Sequence, residues 1–133
     1  MQFFRKFPFL PAIVFFIVTV ILLTLPGSSF PKSHLFDIPY FDKWVHIGLF
    51  GLLCLLFSFP IIDLSISDSQ KRNWFLGISV IGICYGISIE FIQKYWIPNR
   101  SFEMLDILAD TTGSVLACIF SLLRLKSRKQ ARV

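Results

Sequence analysis

Long apolar stretches alternate with short polar ones along the whole chain. Apolar residues dominate positions 9–25, 44–62, 74–92 and 105–123. About 20 mostly apolar residues cross the hydrocarbon core of a bilayer. Lipid offers no partner to unpaired backbone groups, and four strands could not close a barrel, so these runs predict helices. The expected fold is all-α: a four-helix transmembrane bundle forming a single domain over residues 1–133. The breaks carry loop chemistry. Pro26, Gly27, Ser28, Ser29, Pro31 and Pro39 fall in the first; Asp63, Ser65, Ser67, Asp68, Ser69, Lys71 and Arg72 in the second; Trp96, Pro98, Asn99 and Arg100 in the third. No internal repeat is visible.

Composition agrees with the pattern. Hydrophobic residues make up 55% of the chain and charged ones 16%, against about 25% charged in soluble domains. A formal net charge of +5 would raise nucleic acid as a partner in a soluble protein. Here the basic residues flank membrane spans, and no nucleic-acid motif accompanies them. Arg5 and Lys6 before the first run resemble a signal peptide, but the run is long and no small-residue cleavage site follows it, so an uncleaved first span is expected. With both termini cytoplasmic, the inside holds Arg5, Lys6, Lys71, Arg72, Arg124, Lys126, Arg128, Lys129 and Arg132, and the outside Lys32, Lys43, Lys94 and Arg100. That bias predicts an N-in, C-in topology by the positive-inside rule. It also sets the basic tail, residues 124–133, beside anionic lipid. Trp44, Trp74 and Trp96 fall near span ends, as interfacial aromatics do. Cys54, Cys84 and Cys118 lie inside apolar runs, with neither a disulfide framework nor metal-ligand spacing, and read as packing residues.

The polar residues near the spans gather at one end. Asp42, Lys43 and His46 open the second helix, Glu90 and Gln93 close the third, Arg100 and Glu103 lie in the third loop, and Asp106 and Asp110 open the fourth. Spacings of three and four put Asp42 with His46, Glu90 with Gln93, and Asp106 with Asp110 on shared helix faces. Under the expected topology all of them lie at the outer face. Charged groups there are costly and normally have a structural or functional reason. Asp110 sits one turn deeper than Asp106. It must pair or take up a proton, with Arg100, Lys43 and His46 as candidate partners. Gly82 and Gly86 form a GxxxG spacing, and Gly113 with Ala117 a second small pair; both favour close helix packing in lipid and leave homo-oligomerisation open.

Four segments carry a resemblance. They are Phe41-Asp42-Lys43-Trp44-Val45-His46; Tyr85-Gly86-Ile87-Ser88-Ile89-Glu90-Phe91-Ile92-Gln93; and Pro98-Asn99-Arg100-Ser101-Phe102-Glu103-Met104-Leu105-Asp106, followed by Asp110-Thr111-Thr112-Gly113. In order and spacing they resemble the VanZ-like family of small membrane proteins over roughly Asp42 to Gly113. In that family an Asp-Lys-x-x-His start, a Glu-x-x-Gln helix end, a loop Arg and an Asp-x-x-x-Asn or Asp before Gly recur. Position 110 departs from the commoner Asn. The resemblance implies a bacterial inner-membrane, multi-pass protein associated with susceptibility to glycopeptide antibiotics, teicoplanin in particular. It implies no reaction.

Three readings follow. In the first, the polar residues clamp helices two to four together. In the second, the outer cluster binds a lipid-linked cell-wall precursor, a lipid head group or a glycopeptide, with Arg100 and Lys43 holding phosphate or carboxylate and Glu90, Asp106 and Asp110 receiving an ammonium or amide. In the third, a small intramembrane enzyme uses His46, Glu90 or Asp106 as general acid or base, or binds a divalent metal through two carboxylates and His46. No zincin motif or nucleophile elbow is present, so neither a metal nor a cofactor is the leading expectation. A transporter is disfavoured, because no polar stripe continues through the inner half of any span.

Overall fold

The computed structural model describes residues 6–26 and 39–130, without the side chain of residue 129. Arg5, Gly27, Ser28, Ser29, Pro31, Lys32 and Arg132, used above for loop and topology arguments, lie outside the described residues. Within them the chain is all-α. Four helices follow one another: α1 (Leu10–Thr24), α2 (Phe41–Ile62), α3 (Asp68–Trp96) and α4 (Met104–Gln130). Three of them, α2, α3 and α4, are long and apolar enough to cross a membrane, and α1 is a shorter apolar helix. The chain is a membrane protein on this ground, and its surface fits: Val80, Ile81, Leu108, Leu116 and Leu123 are exposed along the helices, as lipid-facing residues are. The tryptophans at the span ends, Trp44, Trp74 and Trp96, are also exposed.

Two helices are longer than the apolar pattern indicates. The polarity of residues 68–73 places them in a loop by sequence. In the structure α3 begins at Asp68, where Ser67 caps it: its hydroxyl accepts the Gln70 N–H at 3.2 Å while Gln70 Oε1 accepts the Ser67 N–H at 3.0 Å. This reciprocal capping box satisfies two orphan donors. Lys71, in the first turn of α3, is buried and donates to the Ile62 carbonyl at 2.7 Å, closing the end of α2. The basic tail likewise continues α4 as helix to Gln130.

α4 packs most extensively against α2, then α3, and α1 rests more lightly on α2 and α3. Glycines set the close approaches. A Cβ on Gly113 would collide with the Ile47 carbonyl oxygen and come within 2.9 Å of the Gly51 nitrogen. A Cβ on Gly82 would lie 2.8 Å from both Cys54 Sγ and Ser114 Oγ, and one on Gly86 would lie 2.6 Å from Asp110 Oδ2. The small residues singled out by sequence thus serve packing within one chain. Two apolar cores result. Ile61, Ile62, Phe75, Cys118 and Leu125 cluster at one end, and Leu23, Phe50 and Ile89 at the other. The second core is the floor of the polar site.

Hydroxyl groups do continue along the buried interior, as Thr19, Ser58, Ser79, Ser114 and Ser121, where the sequence suggested no polar continuation. Several are satisfied by their own helices: Ser58 donates to the Cys54 carbonyl and Ser121 to that of Ala117, each at 2.8 Å. Such back-bonding hides a hydroxyl at no partner's expense.

Candidate functional site: a carboxylate cage at one end of the bundle

The first turns of α2 and α4 meet the last turns of α3, because adjacent helices run antiparallel. Helix N-termini carry a partial positive charge that favours carboxylates. Asp42 and Asp106 sit in the first turns of α2 and α4.

Lys43 occupies the centre. Its Nζ lies 2.7 Å from Asp42 Oδ2 and 2.5 Å from Asp106 Oδ1, and it also pairs with Glu103. Three carboxylates from α2, the α3–α4 loop and α4 thus surround one ammonium. Asp42 and Glu103 are the exposed members, with side chains 54% and 47% accessible, whereas the Asp106 side chain is 6% accessible. The cage therefore opens on the membrane-end surface and closes on the bundle interior. Lys43 does not stand ready for phosphate or carboxylate, as the sequence suggested. Its charge is already committed to acids of its own chain.

His46 lies one turn deeper. Its Nδ1 is 2.8 Å from Asp110 Oδ1. In the neutral ring, an ionised Asp110 places the proton on Nδ1 and leaves Nε2 as an acceptor. Nε2 faces Asp106 Oδ2 at 3.8 Å, beyond hydrogen-bonding distance. Of the three partners considered for Asp110, His46 is the one that takes the role. The ring also lies nearly parallel to Phe50 at 6.5 Å, and Phe50 in turn meets Tyr85 at 5.3 Å.

Glu90 and Gln93 tie α3 into the site. Glu90 Oε2 accepts the Glu103 backbone N–H at 2.8 Å, and Gln93 Nε2 donates to the Leu23 carbonyl at 2.7 Å. The second bond brings the end of α1 to the same place. Deeper on the same helix, Tyr85 and Thr19 share a hydrogen bond of 3.1 Å between α3 and α1. His46, Glu90, Gln93, Asp106 and Asp110 are all buried. Glu90 Oε1 and Asp110 Oδ2 are buried with no hydrogen-bond partner among the described residues. Arg100 is half-buried in the α3–α4 loop, next to Asn99, which adopts a left-handed backbone with φ 58°.

The geometry therefore brings together Asp42, Lys43, His46, Asp106 and Asp110, with Glu90 and Gln93 behind them. Glu103 gains a role that its loop position alone did not suggest. The signal was present, in that it lies three residues before Asp106, but nothing in a single sequence says that Lys43 bridges both. The site carries five acids (Asp42, Glu90, Glu103, Asp106 and Asp110) against Lys43, His46 and Arg100. Counted by formal charge, acids outnumber bases there. Asp42, Glu103 and Asp106 each offer a carboxylate oxygen within 4.8 Å of the others, so the arrangement is chemically suited to cations.

No family model matches the chain, and no solved structure does. The chain is similar to an uncharacterised protein of Schizosaccharomyces pombe (strain 972), with 35% identity over 91 residues, which cover 68% of this chain and 52% of that protein. The chain spans about half the length of that relative.

Proposed function

We propose that this is a VanZ-like membrane protein whose acidic end binds a cationic group of an envelope ligand at the membrane surface. The ligands in view are an ammonium-bearing lipid head group, a lipid-linked cell-wall precursor and a glycopeptide such as teicoplanin. One observation carries the reading: the cage formed by Asp42, Glu103 and Asp106 already holds an ammonium, that of Lys43, and opens to the surface through its two exposed carboxylates. Similarity to a fungal protein supports a ligand not confined to bacterial walls, which puts lipid head groups first. The basic residues at the opposite end, among them Lys71, Arg72, Arg124, Lys126 and Arg128, support an orientation with that end cytoplasmic and the acidic end outside. In a bacterial host the membrane is then the cytoplasmic one.

The structural-clamp reading has its own support. His46–Asp110 joins α2 to α4, Glu90 joins α3 to the following loop, and Gln93 joins α3 to α1. A small enzyme using His46, Glu90 or Asp106 as general acid or base is the third reading.

Wild type, Glu90→Gln and Asp106→Asn would be expressed in a teicoplanin-sensitive host, with membrane abundance and teicoplanin and vancomycin susceptibility measured together. Binding predicts that wild type raises teicoplanin tolerance and that equally abundant variants do not. Variants that disappear from the membrane would favour the clamp. A wild type that changes neither susceptibility would remove the glycopeptide part of the reading.

A further inference from the structure

We propose that the acidic end is a divalent-metal site, with His46 and Asp106 as its fixed ligands, Asp42 and Glu103 as its closing ones, and Lys43 as the tethered cation that the metal displaces. This goes beyond head-group binding and does not rest on it.

The fixed half is already in place. His46 Nε2 and Asp106 Oδ2 face each other at 3.8 Å. That is too far for a hydrogen bond and within the span of two metal–ligand bonds of about 2.1 Å. Both residues are more than nine-tenths buried. Asp110 holds the other ring nitrogen at 2.8 Å, the carboxylate–histidine relation that orients metal-binding imidazoles and raises their basicity. The imidazole is thus presented by its rear partner, with the free nitrogen toward an acid.

The closing half is occupied by Lys43. Its ammonium touches Asp42, Glu103 and Asp106, whose oxygens lie within 4.8 Å of one another. A metal seated on Asp106 and His46 would repel that ammonium. The lysine stem is flexible and its site opens outward, so the head group can swing into the interface. Asp42 and Glu103, left without their cation, would then turn to the metal. The charge surplus points the same way: a divalent ion exchanged for one ammonium brings the cage closer to neutrality. Mixed imidazole and carboxylate ligands suit Mn2+ or Zn2+ better than Ca2+.

The test uses the full chain in detergent micelles free of added lipid, so that it reads metal alone. Mn2+ would be titrated and followed by electron paramagnetic resonance. Wild type is expected to bind one Mn2+, with 14N coupling from a ligated imidazole. Lys43→Gln is expected to bind it about tenfold more tightly, because a competing positive charge at contact distance is gone. His46→Gln should lose the 14N signal, and Glu103→Gln, altered at an exposed position, should weaken binding without unfolding the protein, as circular dichroism would verify. The proposal is overturned if wild type binds no Mn2+, if the bound ion shows no 14N coupling, or if Lys43→Gln binds more weakly than wild type. The 14N reading needs no variant, so misfolding of a mutant cannot obscure it. A positive result with unchanged drug susceptibility would separate this site from the glycopeptide part of the proposed function.

Discussion

The two ends of the bundle use charged residues in opposite ways. At the basic end, charges are spread out and mostly solvated. Arg128 pairs with Asp63 in the open, with side chains 45% and 71% accessible, and Lys71 caps one carbonyl. At the acidic end, carboxylates from three elements converge on one lysine and one histidine, and most of the groups are buried. Exposed pairs contribute little, because water and salt screen them. Buried ones are costly to assemble and more costly to break singly. The basic end is therefore an anchor that tolerates change, while the acidic end is a network in which each residue depends on the others.

Substitutions put that contrast to the test. The largest effect is expected from His46→Ala, which leaves Asp110 buried without its partner. Destabilisation should be about 3–5 kcal/mol, read as a lowered unfolding midpoint in detergent. A midpoint within error of wild type would show that the network is not coupled. Next comes Gly113→Val. Its side chain would meet the backbone at Ile47 and Gly51 rather than a movable side chain, costing about 1–3 kcal/mol. Gly77→Ala, with open space around the added carbon, is its control, and a similar loss there would point to backbone effects instead. Ser67→Ala removes the α3 cap at the basic end and should cost about 1 kcal/mol, visible as faster amide exchange in the first turn of α3. The smallest effect belongs to Arg128→Ala, below about 1 kcal/mol. A loss there as large as that of His46→Ala would erase the distinction between the two ends.

Much of this contrast is legible in the amino-acid sequence. Apolar runs mark the helices, because lipid permits so few alternatives. The spacings Asp42/His46, Glu90/Gln93 and Asp106/Asp110 place those pairs on common faces through helical periodicity alone. Other features are visible but overridden: Ser67 and Gln70 form a capping-box spacing, yet the polarity of residues 68–73 reads as loop. A third kind is not legible at all. That Lys43 serves acids rather than ligand phosphate, or that Gln93 reaches the Leu23 carbonyl, depends on which helices are neighbours. Local periodicity determines the face a residue occupies and leaves its partner across the bundle undetermined.

The contact between α2 and α4 at Gly113 has a mechanical consequence. Backbone meets backbone there, with Ile47 and Gly51 on one side and Gly113 on the other, about one turn below His46 and Asp110. The contact leaves no slack for the two helices to slide past each other. Parting α2 from α4 at the level of His46 and Asp110 would therefore swing the helices like scissors about this fulcrum. The blades on the far side, near whose ends Asp63 and Arg128 pair, would then move as well, so such a separation at one face of the membrane is geared to the other.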